Sequence, residues 1–192
     1  GAAFANYWMH NGHVTVGGEK MSKSLGNFLT VHELLDEFPG EAIRLALLRT
    51  HYRQPLDFSK EGIREAKAIL DRLYRALESV KEVPEEEYKG PEVGGLTVPN
   101  SVKEALSDDL NTPIAVAVLQ AIADYILNPQ KLDQLEWAET KTKVEVSLGQ
   151  AKKYLVDSAY LLGLLQVDPE SWFRGSEADG PSKGLINMMI EQ

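Results

Sequence analysis

Cysteine is missing altogether from the 192 residues, which excludes disulfides and every thiolate metal site and fits a reducing compartment. Long apolar runs are missing too. No stretch approaches the roughly 20 residues that a membrane helix needs, and the opening GAAFANYWMHNGH has neither the basic start nor the apolar run of a secretory leader. These gaps predict a cytoplasmic protein without membrane contact. Internal repeats and low-complexity tracts are also lacking, so a solenoid is excluded. Positive charge is scarce: 20 Lys and Arg stand against 29 Asp and Glu, a net charge of −9. Taken as a whole, that balance argues weakly against a nucleic-acid partner, because phosphate contacts need cations. Its distribution matters more. Residues 1–75 hold 10 Lys and Arg and 9 Asp and Glu, which leaves 10 and 20 of the totals for residues 76–192, so the first part is the better suited to meet an anion.

What is present is a core-forming helical pattern. Apolar residues make up 43% of the chain, enough for one ordinary domain or two small ones. Near the start, Val14 and Val16 alternate with polar residues and Gly17-Gly18 can take the positive backbone angles of a hairpin turn, so a short hairpin is expected. Thr30 and Glu33 form a capping box ahead of Leu34, Leu35 and Phe38, which starts a helix near Val31 and ends it around Pro39-Gly40. A second helix is expected over 41–50. After a turn or extended segment at 54–58, Ser59 is the N-cap of a long amphipathic helix with Ile63, Ala66, Leu70, Leu73, Leu77 and Val80 on one stripe, read as core.

Residues 83–99, rich in Glu, Gly and Pro, read as a long loop, with Glu85, Glu86 and Glu87 as a solvated run that would repel phosphate. Ser101 and Glu104 predict a second capping box and a short helix. Asn111-Thr112-Pro113 then supplies an N-cap and a proline at the first helical position, opening a helix to about Leu127. Asn128-Pro129 breaks it. One or two further helices run to about Leu165, with Val144, Leu148, Ala151, Leu155, Ala159 and Leu162 on one face. The stretch from Gln166 to Gly184 reads as turns, and Leu185 to Ile190 begins a helical pattern that the chain end cuts off. Amphipathic helices without intervening strands imply a bundle.

The segment that carries chemistry is Lys20-Met21-Ser22-Lys23-Ser24, continued by Leu25-Gly26-Asn27. Two lysines three apart on a glycine-flanked loop present mobile positive charge to a triphosphate, and the serines donate hydroxyls or set the loop's shape. When the α-phosphorus of ATP is attacked, negative charge grows on the departing β,γ portion. Ammonium groups that close on it late stabilise the transition state more than the bound substrate, and lysine suits this because it can move.

KMSKS is the signature of class I aminoacyl-tRNA synthetases, and the surrounding YWMHNGHVTVGGEKMSKSLGN resembles their cysteinyl members in particular. Further matches are Glu41-Ala42-Ile43-Arg44, His51-Tyr52-Arg53-Gln54-Pro55-Leu56-Asp57-Phe58-Ser59, Asp108-Asp109-Leu110-Asn111-Thr112-Pro113, and LGLLQVDPESWF at 162–173. The resemblance implies that Lys20 and Lys23 contact the ATP phosphates as the catalytic pair, that Ser22 and Ser24, with Met21, support the loop, and that Gly26 and Asn27 shape its exit. It also implies a mainly α architecture: a βα remnant of the catalytic domain over 1–30, a stem-contact segment over 31–58, and an antiparallel anticodon-binding type bundle over 59–192, truncated at both ends. The intact enzyme would activate cysteine with ATP and magnesium and charge tRNA(Cys), acting as a monomer. Its upstream half would hold the His-Ile-Gly-His-type motif and the zinc that recognises the cysteine thiol. None of those motifs is in this sequence, which is expected to begin just past the last zinc-binding run. The rivals are a methionyl-type synthetase, the mycothiol cysteine ligase, and a non-catalytic helical tRNA-binding module.

Other signals have plainer readings. His10 and His13 have the spacing of a metal pair but lack a third ligand nearby, so they default to turn and strand histidines. Tyr7 and Trp8 either line a nucleotide pocket or, by default, pack in the core. Arg44, Arg49 and Arg53 either touch the inner bend of tRNA or pair with Glu41, Asp57 or Glu61. Asp108 and Asp109 are expected at a helix start, where the dipole favours them. The 192 residues alone are expected to give no cysteine-dependent ATP–pyrophosphate exchange and to bind no zinc; an exchange assay on the purified chain checks the first.

Overall fold

The computed structural model describes residues 4–22, 24, 26, 29–86, 92–93, 95–130 and 146–175. Strands β1 (Val14–Val16) and β2 (Glu19–Lys20) form the hairpin, with Gly17 and Gly18 at φ 62° and 81°, a conformation that glycine takes without steric cost. Helix α1 (Val31–Leu35) starts at the Thr30/Glu33 capping box. Helix α2 (Gly40–Leu48) follows, and then β3 (Leu56–Asp57) and α3 (Lys60–Ser79), whose N-cap Ser59 accepts a hydrogen bond from the Gly62 N–H.

Strands β4 (Glu92–Val93) and β5 (Leu96–Thr97) make a second, antiparallel pair. The remaining helices are α4 (Asn100–Ser107), α5 (Thr112–Leu127), α6 (Leu148–Leu161) and α7 (Pro169–Gly175). The chain is therefore mainly helical, with a three-stranded sheet in the order β2-β1-β3 beside the helices.

The core is organised on α3. Ile63, Ala66, Leu70, Leu73, Tyr74, Ala76 and Val80 are buried, the predicted stripe widened by Tyr74 and Ala76, while Leu77 is half-buried. Helices α2, α5 and α7 pack against α3, and α5 packs in turn against α4 and α6. Each buried leucine or isoleucine here contributes about 1.5–3 kcal/mol relative to an exposed one. Helix α5 offers Ala115, Val116, Leu119, Ile122, Ala123 and Ile126 to this core, and α6 offers Ala151, Leu155 and Ala159.

Polar ties cross the bundle. The Glu41 carboxylate on α2 accepts from the Tyr74 hydroxyl at 3.0 Å and from the Leu165 and Gln166 N–H groups at 2.9 Å each. Burial first, and then the Glu41 charge, push the Tyr74 phenol well above its ordinary range, so it stays a donor. One turn further along α2, Arg44 Nε donates to the Leu162 carbonyl at 2.6 Å, a cation at the C-terminal end of α6. Trp172 of α7 stacks on Tyr74 at 4.5 Å and donates from Nε1 to Asp71 Oδ1 at 2.8 Å.

Four expectations need correction. The 83–99 segment is not simply a loop: Val98 is fully buried, the buried Asp157 carboxylate accepts from the Thr97 N–H at 2.7 Å, and β5 packs on α6. Its acidic run is not merely solvated either, since Glu86 Oε2 accepts from Ser147 Oγ at 2.8 Å; Glu87 lies outside the described residues. Helix α4 begins at Asn100 after Pro99, so Ser101 sits inside the helix and its Oγ is buried without a partner among the described residues. Past Gln166, where turns are expected, α7 forms because Asp168 Oδ1 accepts from the Ser171 N–H at 2.9 Å and Trp172 finds a buried seat. The expected Val144 and 185–190 helical positions lie outside the described residues.

Gly163 marks how closely the α2–α6 tie is fitted. Its φ is 68°, and a Cβ there would lie 2.7 Å from Arg44 Nε. Gly163→Ala is therefore expected to destabilise the chain by about 1–3 kcal/mol, from backbone strain and the displaced guanidinium, as read by urea denaturation.

Candidate active site

The lysine loop grows from the hairpin. Thr15 faces Lys20 across the β1–β2 ladder, and the ladder is extended by the Met21 N–H donating to the Val14 carbonyl at 3.1 Å. On its other edge β1 pairs in parallel with β3, Val14 with Leu56 and Thr15 with Asp57. The Leu56 N–H donates to His13 O at 3.0 Å and the Phe58 N–H to Thr15 O at 2.8 Å. In the sequence this third strand reads only as a turn or extended segment. Gly12 seats the approach to β1: its N–H donates to Tyr52 O at 2.7 Å, and a Cβ would stand 2.1 Å from Gln54 O.

Lys20 ends β2 and is exposed. Beyond it, Met21 and Leu29 are half-buried against the core, so the two ends of the loop are anchored by apolar side chains. Ser22 Oγ and Ser24 Oγ are hydrogen-bonded to each other at 3.2 Å, and Gly26 takes φ 67°. Lys23, Leu25, Asn27 and Phe28 lie outside the described residues. A cation on a strand end beside a glycine-bearing loop is suited to approach an anionic leaving group from solvent.

Tyr7 and Trp8 are not core residues: they are 90% and 67% exposed. No described element covers them, and the Trp8 ring stacks instead on Phe4 with centroids 6.1 Å apart. His13 contributes its carbonyl to β3, and among the described residues no three His, Asp or Glu side chains converge as a metal site would require.

The three arginines have internal partners, but none of the three acids expected. Arg44 takes the Leu162 carbonyl, Arg49 pairs with Glu65 at 3.1 Å, and Arg53 Nε meets Asp109 Oδ2 at 2.5 Å. Glu41 and Asp57 serve backbone N–H and hydroxyl donors instead, while Glu61 pairs with Arg64. The Arg49–Glu65 pair lines a recess of about 330 Å³ between β3 and α3, with Leu56, Phe58 and Glu61 in its wall.

Asp109 overturns the helix-start reading. It sits with Leu110 at the α4–α5 corner, both at positive φ, 54° and 55°, while Asn111 caps α5 and Asp108 ends α4. Its carboxylate accepts from Tyr52 OH at 2.5 Å and twice from Arg53, with His51 Nε2 at 3.9 Å. The Arg53 hydrogen bonds, followed by that of Tyr52, pull the Asp109 carboxyl down to about 2, and the same contact raises the Tyr52 phenol. Asp109 thereby ties the α4–α5 corner to the segment that also holds Gly12.

Two families match the chain: residues 1–68 match the class I (C) tRNA synthetase catalytic domain, and residues 101–166 match the DALR domain. Among similar proteins are cysteine–tRNA ligases of Paramagnetospirillum magneticum, 47% identical over 191 residues (99% of this chain, 38% of the relative), and of Parvibaculum lavamentivorans, 48% identical over 174 residues (91% and 33%). That of Xanthomonas euvesicatoria is 42% identical over 193 residues (100% and 40%). The chain thus spans 40% or less of the length of these relatives.

Because the folded-state pKa of Asp109 is depressed, its contribution to stability is present above the unfolded value near 3.9 and is lost as pH falls toward about 2. Asp109→Asn is expected to flatten that part of the stability-against-pH curve, as followed by denaturant titrations between those limits.

Proposed function

We propose a role for this chain from the family to which it belongs, the cysteine–tRNA ligases of the class I synthetases: it supplies the phosphate-handling loop and the tRNA-docking helices of that enzyme. In the whole reaction the carboxylate of cysteine attacks the α-phosphorus of ATP, the bond to the β,γ portion breaks, and cysteinyl-adenylate and pyrophosphate result. A ribose hydroxyl at the tRNA 3′ end then attacks the acyl carbon and AMP leaves. Lys20 and Lys23 act in the first step, closing on the charge that gathers on the departing pyrophosphate. Ser22 and Ser24 hold the loop's shape between them, and Met21 roots it in the core. The reaction takes place in the cytoplasm, with magnesium accompanying ATP.

The observation that carries this reading is the presentation of Lys20 at the end of a glycine-turned strand, inside a KMSKS sequence. The relatives named above are all cysteine–tRNA ligases, which favours that enzyme over a methionyl-type or mycothiol ligase. Zinc finds no fitting donor set here, since the sequence has no cysteine and no described cluster of three acidic or histidine ligands exists.

We divide the chain functionally into a catalytic remnant over 1–30, a stem-contact segment over 31–58 and a tRNA-docking bundle over 59–192. Arg44, Arg49 and Arg53 lie within the second of these. A guanidinium has five N–H donors, so their internal bonds leave donors for a tRNA phosphate. In the full-length ligase carrying this segment, Lys23→Ala is expected to slow cysteine-dependent ATP–pyrophosphate exchange by about 100-fold with the fold intact, and Lys20→Ala to act in the same direction. An unchanged exchange rate in a folded Lys23→Ala/Lys20→Ala protein rejects the reading.

A further inference from the structure

The register of the three-stranded sheet puts three side chains in one row. Directly opposed residues on neighbouring strands project to the same face, so Lys20, Thr15 and Asp57 stand side by side across β2, β1 and β3. Asp57 is bonded to two points of the hairpin that carries Lys20. Its Oδ1 accepts from Thr15 Oγ1 at 3.0 Å and from the Gly18 N–H at 3.1 Å. The Gly18 donor belongs to the turn itself, where both glycines have positive φ. A two-residue turn of such glycines is conformationally permissive, and its freedom is largest where no side chain restrains it. One carboxylate oxygen from a strand 39 to 42 residues away closes that freedom.

We infer that Asp57 is a positioning residue for the lysine loop, fixing the pitch of the β1–β2 hairpin so that Lys20 and the loop after it are aimed before ATP reacts. Asp57 does not touch the nucleotide in this scheme; it acts through the hairpin. An ammonium group that must be ordered at the moment of reaction costs conformational entropy, and one already aimed does not. The loss on removing Asp57 falls on kcat, because the lysines work on charge present chiefly in the transition state.

This inference rests on the function proposed above and is tested in the same full-length ligase, by ATP–pyrophosphate exchange. Asp57→Ala is expected to lower kcat about tenfold and leave the KM for ATP within about twofold. Asp57→Asn, whose amide oxygen can accept both bonds, is expected to return within about threefold of wild type. In a cycle with Lys20→Ala/Lys23→Ala, adding Asp57→Ala is expected to slow the protein no further, since Asp57 acts through the two lysines.

Fully additive losses, or a folded Asp57→Ala with normal kcat, overturn the inference, as does an Asp57→Asn as slow as Asp57→Ala. If Asp57→Ala does not fold, Thr15→Val removes the Thr15 bond from the other side; a folded Thr15→Val with kcat unchanged is then the overturning result, and a fall of about threefold the supporting one. A normal rate in Lys23→Ala instead rejects the underlying function, so the two failures are distinguishable.

Discussion

Along its 20 residues α3 carries an apolar stripe that α2, α5 and α7 all cover, and α4 and α6 pack in turn on α5. An amphipathic helix of this kind is marginal alone. Once its stripe is shared, α2 is held on one side, α5 on another, and Trp172 of α7 against Tyr74. The residues immediately before α3, Leu56 to Ser59, are then in place, and so is β3. The sheet that presents Lys20 is therefore tied to the core through the strand that leads directly into its longest helix.

Polar groups join the parts that the apolar faces bring close. Glu41 and Arg44 on α2 hold the turn after α6, the one by accepting backbone N–H bonds and the other by donating to a helix-end carbonyl. Asp109 at the α4–α5 corner holds Tyr52 and Arg53. These two ties connect the segment that matches the class I catalytic domain with the segment that matches the DALR domain. Each places a charge against fixed dipoles or an opposite charge, so neither leaves a group unsatisfied. Ties of this kind, between fixed dipoles and charges on distant segments, hold the two matched segments in a fixed relation.

Local chemistry was legible residue by residue. The alternation of Val14 and Val16 before two glycines marks the hairpin, and the Thr30/Glu33 box and Ser59 mark helix starts found at those positions. These features depend on neighbours three or four residues away, which a linear reading contains. The missed elements depend on distant partners. Helix α7 needs Trp172 to find Asp71 and Tyr74 a hundred residues back, and the strand character of 56–57 exists only because β1 lies alongside. Tyr7 and Trp8 show the converse: apolar residues for which the described chain provides no cover.

The sequence by itself determined the hairpin, the helical class and the faces that would be apolar, because backbone propensity, capping and periodicity are short-range. Tertiary structure alone decided which partner each arginine would meet, that Asp109 would leave the helix start to become an acceptor, and that Asp57 would reach the hairpin turn. A charged side chain has several suitable partners within any sequence of this composition. Which of them comes within 3 Å is set by how the apolar faces pack, and that packing joins residues from 39 to 125 positions apart.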